Sequence, residues 1–192
     1  MDAVTSPSDR LYFIEEVSPY TLPHLLPNRS FVAGNIRNEV HTVPCYGRTK
    51  YEIYRSRPVL CSGTVIGTRM GMLRFLSILV NEFHANNRKD NRKCQSPHTT
   101  DQWIMNYLYY TGKFGNYDST STIPWGIGPV QTVGKPCITD NRKPGATDIV
   151  VRNHDGFLLN RHDKVISPVV HQFDRCFPWI NDFFARHYNI YQ

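Results

Sequence analysis

A chain of 192 residues is long enough to bury one core. Apolar residues make up 40%, with 11 Tyr, 10 Phe and 3 Trp, which excludes a disordered chain. The net charge of +6 is scattered, and its one dense cluster, Arg88-Lys89-Asp90-Asn91-Arg92-Lys93, lacks interleaved aromatics. That pattern reads as a solvated loop and argues against nucleic-acid binding; an anionic ligand such as a nucleotide diphosphate stays compatible with the charge.

In chain order, Leu11-Tyr12-Phe13-Ile14 predicts a short buried strand, followed by Glu15-Glu16. Five prolines (Pro7, Pro19, Pro23, Pro27 and Pro44) then predict an irregular segment up to about residue 57. Residues 58–68 read as a strand interrupted by Gly63 and Gly67. From Gly71 to His84 the residues Met72, Leu73, Phe75, Leu76, Leu79, Val80 and Phe83 repeat at helical spacing. A polar loop follows. Thr99 or Thr100 then offers an N-cap to a second helix, with Asp101 in its first turn, an apolar face of Ile104, Tyr107 and Leu108, and Gly112 as its stop.

Phe114 to Pro129 reads as a long glycine- and aromatic-rich functional loop. Val130 to Gly134 predicts a short strand. Residues 149–159 predict a hairpin turning at Asn153-His154-Asp155-Gly156, and a further turn at Arg161-His162-Asp163 leads into an apolar strand, Val165 to Val170. Pro178-Trp179 opens a terminal helix that contains Phe183 and Phe184. The order is mixed α/β (α+β), with no regular βαβ repeat.

The apolar run from Leu73 to Val80 is too short to span a membrane. Met1-Asp2 opens a polar stretch with no apolar leader, so the chain as written is expected in the cytosol. Cys45, Cys61, Cys94, Cys137 and Cys176 show no metal-binding spacing. They read as buried thiols in the cytosol, or as two pairs and one free thiol in a secretory lumen.

Three polar motifs sit at the edges of apolar segments. In Cys61-Ser62-Gly63-Thr64, a glycine inside a strand marks a bulge or a close approach by a ligand, beside which Ser62 and Thr64 present their hydroxyls. Tight packing of strand on helix explains it equally. Asp101-Gln102 with Asn106 makes a polar edge on an apolar helix, fit for sugar hydroxyls, although Asp101 also reads as a plain helix-capping charge. His171-Gln172-Phe173-Asp174-Arg175 follows a strand. His171 there could ligate a metal or be a satisfied core histidine, and Asp174-Arg175 could be a structural ion pair.

In series, these three segments resemble the GT-A glycosyltransferases, especially the glycogenin-like retaining enzymes and similar enzymes of algae and large viruses. The likeness covers roughly residues 58 to 180. It rests on Cys61-Ser62-Gly63-Thr64 before a helix, Asp101-Gln102 with Asn106, and His171 ahead of Phe177-Pro178-Trp179. The resemblance implies a GT-A-like domain, with 1–57 an irregular N-terminal segment and 58–192 the acceptor- and metal-binding portion. It implies that Asp101 and Gln102 line the catalytic acceptor and donor sugar site. It further implies that Ser62 and Gly63 contact the sugar or the reacting centre, and that Lys135 and Arg175 contact the diphosphate; Thr64, Asn106 and, from the aromatic loop, Trp125 are further candidate substrate contacts read from the residues themselves. His171 would be one ligand of Mn²⁺ or Mg²⁺, which would stabilise the leaving diphosphate. The implied partners are a nucleotide-sugar donor and a glycan or protein acceptor, and full-length eukaryotic enzymes of this kind sit in the Golgi lumen.

The chain departs from the pattern at its front. GT-A enzymes place a nucleotide-binding half and an Asp-x-Asp metal motif before the Ser-Gly strand, and residues 1–57 hold neither. The expectation is therefore a partial domain, weakly active or inactive alone. Two rivals follow from the residues. One is a noncatalytic carbohydrate-binding module using the rings from Tyr117 to Trp125. The other is a hydrolase with Cys61 as nucleophile and His171 as base.

Overall fold

The computed structural model describes residues 10–16, 33–86, 94, 101–115, 120–133, 151–160, 162–172 and 183–187. Its elements run β1 (Leu11–Glu15), α1 (Ala33–Tyr46), α2 (Arg48–Glu52), β2 (Leu60–Gly67), α3 (Arg69–Asn86), α4 (Asp101–Tyr110), β3 (Thr120–Ile123), β4 (Val130–Thr132) and β5 (Val169–His171). The protein is mixed α/β. One sheet has the order β2-β1-β3, with β1 antiparallel to β2 and parallel to β3; a second pairs β4 and β5 in parallel.

β1 is the centre of the larger sheet because its residues are apolar on both faces: Leu11, Phe13 and Ile14 are almost wholly buried. The Phe13 ring meets Phe75 of α3 edge-on at 5.7 Å, Tyr109 of α4 at 4.8 Å and Phe114 at 5.4 Å. α4 is enclosed on all sides. Its six consecutive residues from Trp103 to Leu108 are buried, so the apolar face expected at Ile104, Tyr107 and Leu108 is only part of what it covers. Gly112 ends the helix with φ 73, a left-handed conformation that suits glycine.

Residues 33–52, expected to be irregular, form α1 and α2. Pro44 lies inside α1, against its expected role as a breaker. It removes one N–H near the end of the helix, and the preceding turns survive on packing against α2 and α4. α3 begins two residues earlier than expected. Thr68 caps it, its Oγ1 accepting from the Gly71 N–H at 3.2 Å and its carbonyl from the Met72 N–H at 2.9 Å.

The loop expected from Phe114 to Pro129 contains β3. Thr120-Ser121-Thr122-Ile123 has no apolar alternation to betray a strand, but its β-branched residues pair along β1. The hairpin at 153–156 is present: the Asn153 N–H donates to Phe157 O at 3.0 Å and the Leu159 N–H to Val151 O at 2.9 Å. The strand expected over 165–170 shortens to β5, and Ile166 makes a single bridge to Leu159. Of the expected terminal helix, residues 183–187 are helical, and its start at Pro178-Trp179 lies outside the described residues. Among the described residues no helix is long and apolar enough to cross a membrane.

Candidate functional site

β2 carries the first motif as an irregularity in the sheet. Phe13 pairs with Val65 and Glu15 with Leu60, so Cys61, Ser62, Gly63 and Thr64 all stand opposite Ile14. The extra residues leave the ladder and bend the strand, as bulges do. Gly63 is exposed, Ser62 half-buried, and Cys61 and Thr64 buried. The interruption expected from the glycine is therefore a bulge, and it brings a hydroxyl and an exposed peptide to one edge of the sheet.

The second motif holds the head of this bulge. Asn106 is 1% exposed in the middle of α4. Its Oδ1 accepts from the Leu60 N–H at 2.9 Å, and its Nδ2 donates to Leu60 O at 3.0 Å and Gln102 O at 2.7 Å. Leu60 lies on an edge strand, and the Asn106 amide takes both of its backbone groups as a neighbouring strand would. The Gln102 Nε2 adds a longer bond to Leu60 O at 3.3 Å. Asn106 thus stands inside the protein with its amide fully used, and not on the open polar edge expected from its spacing. Asp101 is exposed at the first residue of α4.

The third motif meets the same bulge from the other side. β5 delivers His171 opposite Thr132, and the Val133 N–H donates to His171 O at 3.0 Å. The imidazole lies on Gly63: a methyl built there would stand 2.5 Å from Cε1 and 2.6 Å from Nε2. The close approach expected from a ligand is instead made by a side chain of the protein itself, delivered by a strand and not by the following helix. All three motifs therefore converge on residues 60–63, although they are far apart in the chain.

The remaining sequence-derived candidates divide. Trp125 is buried, and its Nε1 donates to Thr132 O at 2.8 Å, so its ring is enclosed by protein rather than offered to a sugar. Thr64 is buried beside the Cys61 thiol, with no full hydrogen bond to its hydroxyl among the described residues. Lys135, Asp174 and Arg175 lie outside the described residues.

Sequence reasoning passed over two carboxyls at the end of β1. Glu15 and Glu16 are both buried, at 6% and 8% exposure. Burial pushes the Glu15 carboxyl above the usual carboxylate range, against a smaller opposing hydrogen bond from Thr122. Their signal in the sequence was only that two acids directly follow an apolar strand. Burial, with the Glu16 carboxylate nearby, also pushes the Cys61 thiol up to about 11. A thiol held neutral in this way is a poor nucleophile, which counts against a Cys61 hydrolase.

Among the described residues no three His, Cys, Asp or Glu side chains gather. His171 has no set of ligand partners there, so these residues do not by themselves compose a divalent-ion site. Comparison with protein-family profiles, with curated proteins and with solved structures returns no match.

Proposed function

We propose that this chain is part of a metal-dependent nucleotide-sugar glycosyltransferase of the GT-A type, which moves a sugar from its donor to a hydroxyl of a glycan or protein. The observation that carries this reading is the convergence of the three motifs on residues 60–63. Asn106 and Gln102 hold Leu60, the bulge leaves Ser62 half-buried and Gly63 exposed, and His171 lies over Gly63. Hydroxyl, peptide and imidazole groups held on a rigid strand suit the orienting of sugar hydroxyls.

In this reading Ser62 and the Gly63 peptide bind sugar hydroxyls, the exposed Asp101 carboxylate faces the acceptor, and the His171 imidazole holds or moves a proton at the reacting edge. Asn106 and Gln102 act through Leu60 as positioning residues. The Mn²⁺ or Mg²⁺ implied by the resemblance would act as a Lewis acid on the leaving diphosphate. Among the described residues His171 stands without partner ligands for such an ion.

The rival carbohydrate-binding module needs exposed rings, and the burial of Trp125 takes one away. The test is saturation-transfer NMR on the full chain with a panel of nucleotide sugars and free glycans, with and without Mn²⁺. Binding of at least one nucleotide sugar is expected, and it should weaken in His171→Ala by more than the accompanying loss of stability explains. Binding of glycan alone, indifferent to Mn²⁺, would transfer the protein to the noncatalytic reading. Binding of neither sinks both.

A further inference from the structure

We propose that the Cys45–Cys94 disulfide is a redox latch on the bulge of β2. The inference extends the reading above to regulation of the same site, but its readout does not depend on sugar transfer. Cys45 is the penultimate residue of α1, directly after Pro44. The proline leaves that last turn short of an intrahelical hydrogen bond, so its position depends on outside ties. One tie is the disulfide to Cys94, which precedes α4 in the chain and is 1% exposed.

The second tie is Tyr46. Its ring stacks on Tyr107 of α4 at 3.6 Å between centroids and 9° between planes. Its hydroxyl donates to Glu82 Oε1 at 2.5 Å and accepts from Asn86 Nδ2 at 2.6 Å, both on α3. Tyr107 follows Asn106, the residue that holds both backbone groups of Leu60. A continuous set of contacts thus runs from the disulfide through Tyr46 and Tyr107 to Asn106, and from there to the head of the bulge.

The step needs a dithiol reductant. Its thiolate attacks Sγ of Cys45, the half-buried partner, and Cys94 leaves as a thiolate that takes up a proton. The second thiol of the reductant then displaces Cys45, which is also protonated. Two electrons and two protons pass to the protein, and the reductant ends as a disulfide. The freed end of α1 lets Tyr46 shift against Tyr107, and the Asn106 clamp on Leu60 opens more often.

The experiment follows amide hydrogen exchange in the full chain, oxidised and after treatment with dithiothreitol and alkylation. Exchange at the Leu60 amide is expected to speed up about tenfold on reduction, as for a local opening, while the β1 amides change less than about twofold. Tyr46→Leu keeps the disulfide but removes the ring contact. It should speed Leu60 exchange in the oxidised chain and abolish the response to dithiothreitol. A Leu60 amide indifferent to reduction overturns the latch. So does equal acceleration throughout β1, which would make the bond a general staple, and so does a full dithiothreitol response in Tyr46→Leu. Free thiols at Cys45 and Cys94 before reduction would overturn it at the start. Failure of every nucleotide sugar to bind would sink the glycosyltransferase reading and leave this result standing.

Discussion

The imidazole of His171 lies so close over Gly63 that no side chain fits between them. A methyl at position 63 would meet Cε1 at 2.5 Å and Nε2 at 2.6 Å, well inside van der Waals contact. Gly63→Ala should therefore push the ring off the bulge and cost about 1–3 kcal/mol, the usual range for overpacking. The decisive comparison is a double-mutant cycle. With His171→Ala already in place, the added methyl has room, and Gly63→Ala should cost less than half as much. Costs in urea denaturation that simply add would show that the two residues do not touch in solution.

Asn106 is a different case, because its amide is spent on backbone. Asn106→Ala leaves the N–H and C=O of Leu60 buried against α4, with only the longer Gln102 bond to the carbonyl. An unpaired buried polar group costs about 1–3 kcal/mol, so a loss of about 2–4 kcal/mol is expected from denaturant unfolding. Substitution of exposed Asp101 by Asn should shift the same midpoint far less. If Asn106→Ala proves as mild as Asp101→Asn, the clamp does not bear on the fold.

Glu15 sets a pH dependence whose sign can be stated. Its carboxyl is raised in the folded protein, chiefly by burial. The folded state therefore holds the proton more tightly than the unfolded chain. The stability tied to that proton is present below pH 4.5, the ordinary value, and is lost as pH rises through the folded one. Glu15→Gln, which stays neutral, should raise Tm at pH 7 and lose that advantage near pH 4. A gain of equal size at both pH values would assign the effect to something other than the charge.

The helical spacing of α3 and α4 and the apolar run of β1 were legible because each is a local pattern whose period follows from the geometry of one element. The glycine in Cys61-Ser62-Gly63-Thr64 also pointed to the bulge, and its missing Cβ leaves room for the His171 ring, where a ligand was expected. β3 was not legible. Its pairing along β1 lies between residues far apart in the chain, and Thr120-Ser121-Thr122 carries no apolar period. α1 was hidden by Pro44, whose local penalty is outweighed by packing that no window of sequence contains.

Which residues are polar at the edges of apolar elements can be read along the chain, and this marks positions 61–64, 101–106 and 171. What each of them does was decided by the tertiary structure. Asn106 and Trp125 look alike from the chain as candidate sugar contacts, yet one is committed to Leu60 and the other to Thr132. His171 and Gly63, more than a hundred positions apart, become neighbours only when β5 pairs with β4 and β2 bulges. Hydrogen bonds saturate within a few ångströms, so the free or spent state of a polar side chain depends on what folding brings beside it. Composition and spacing carry no record of that.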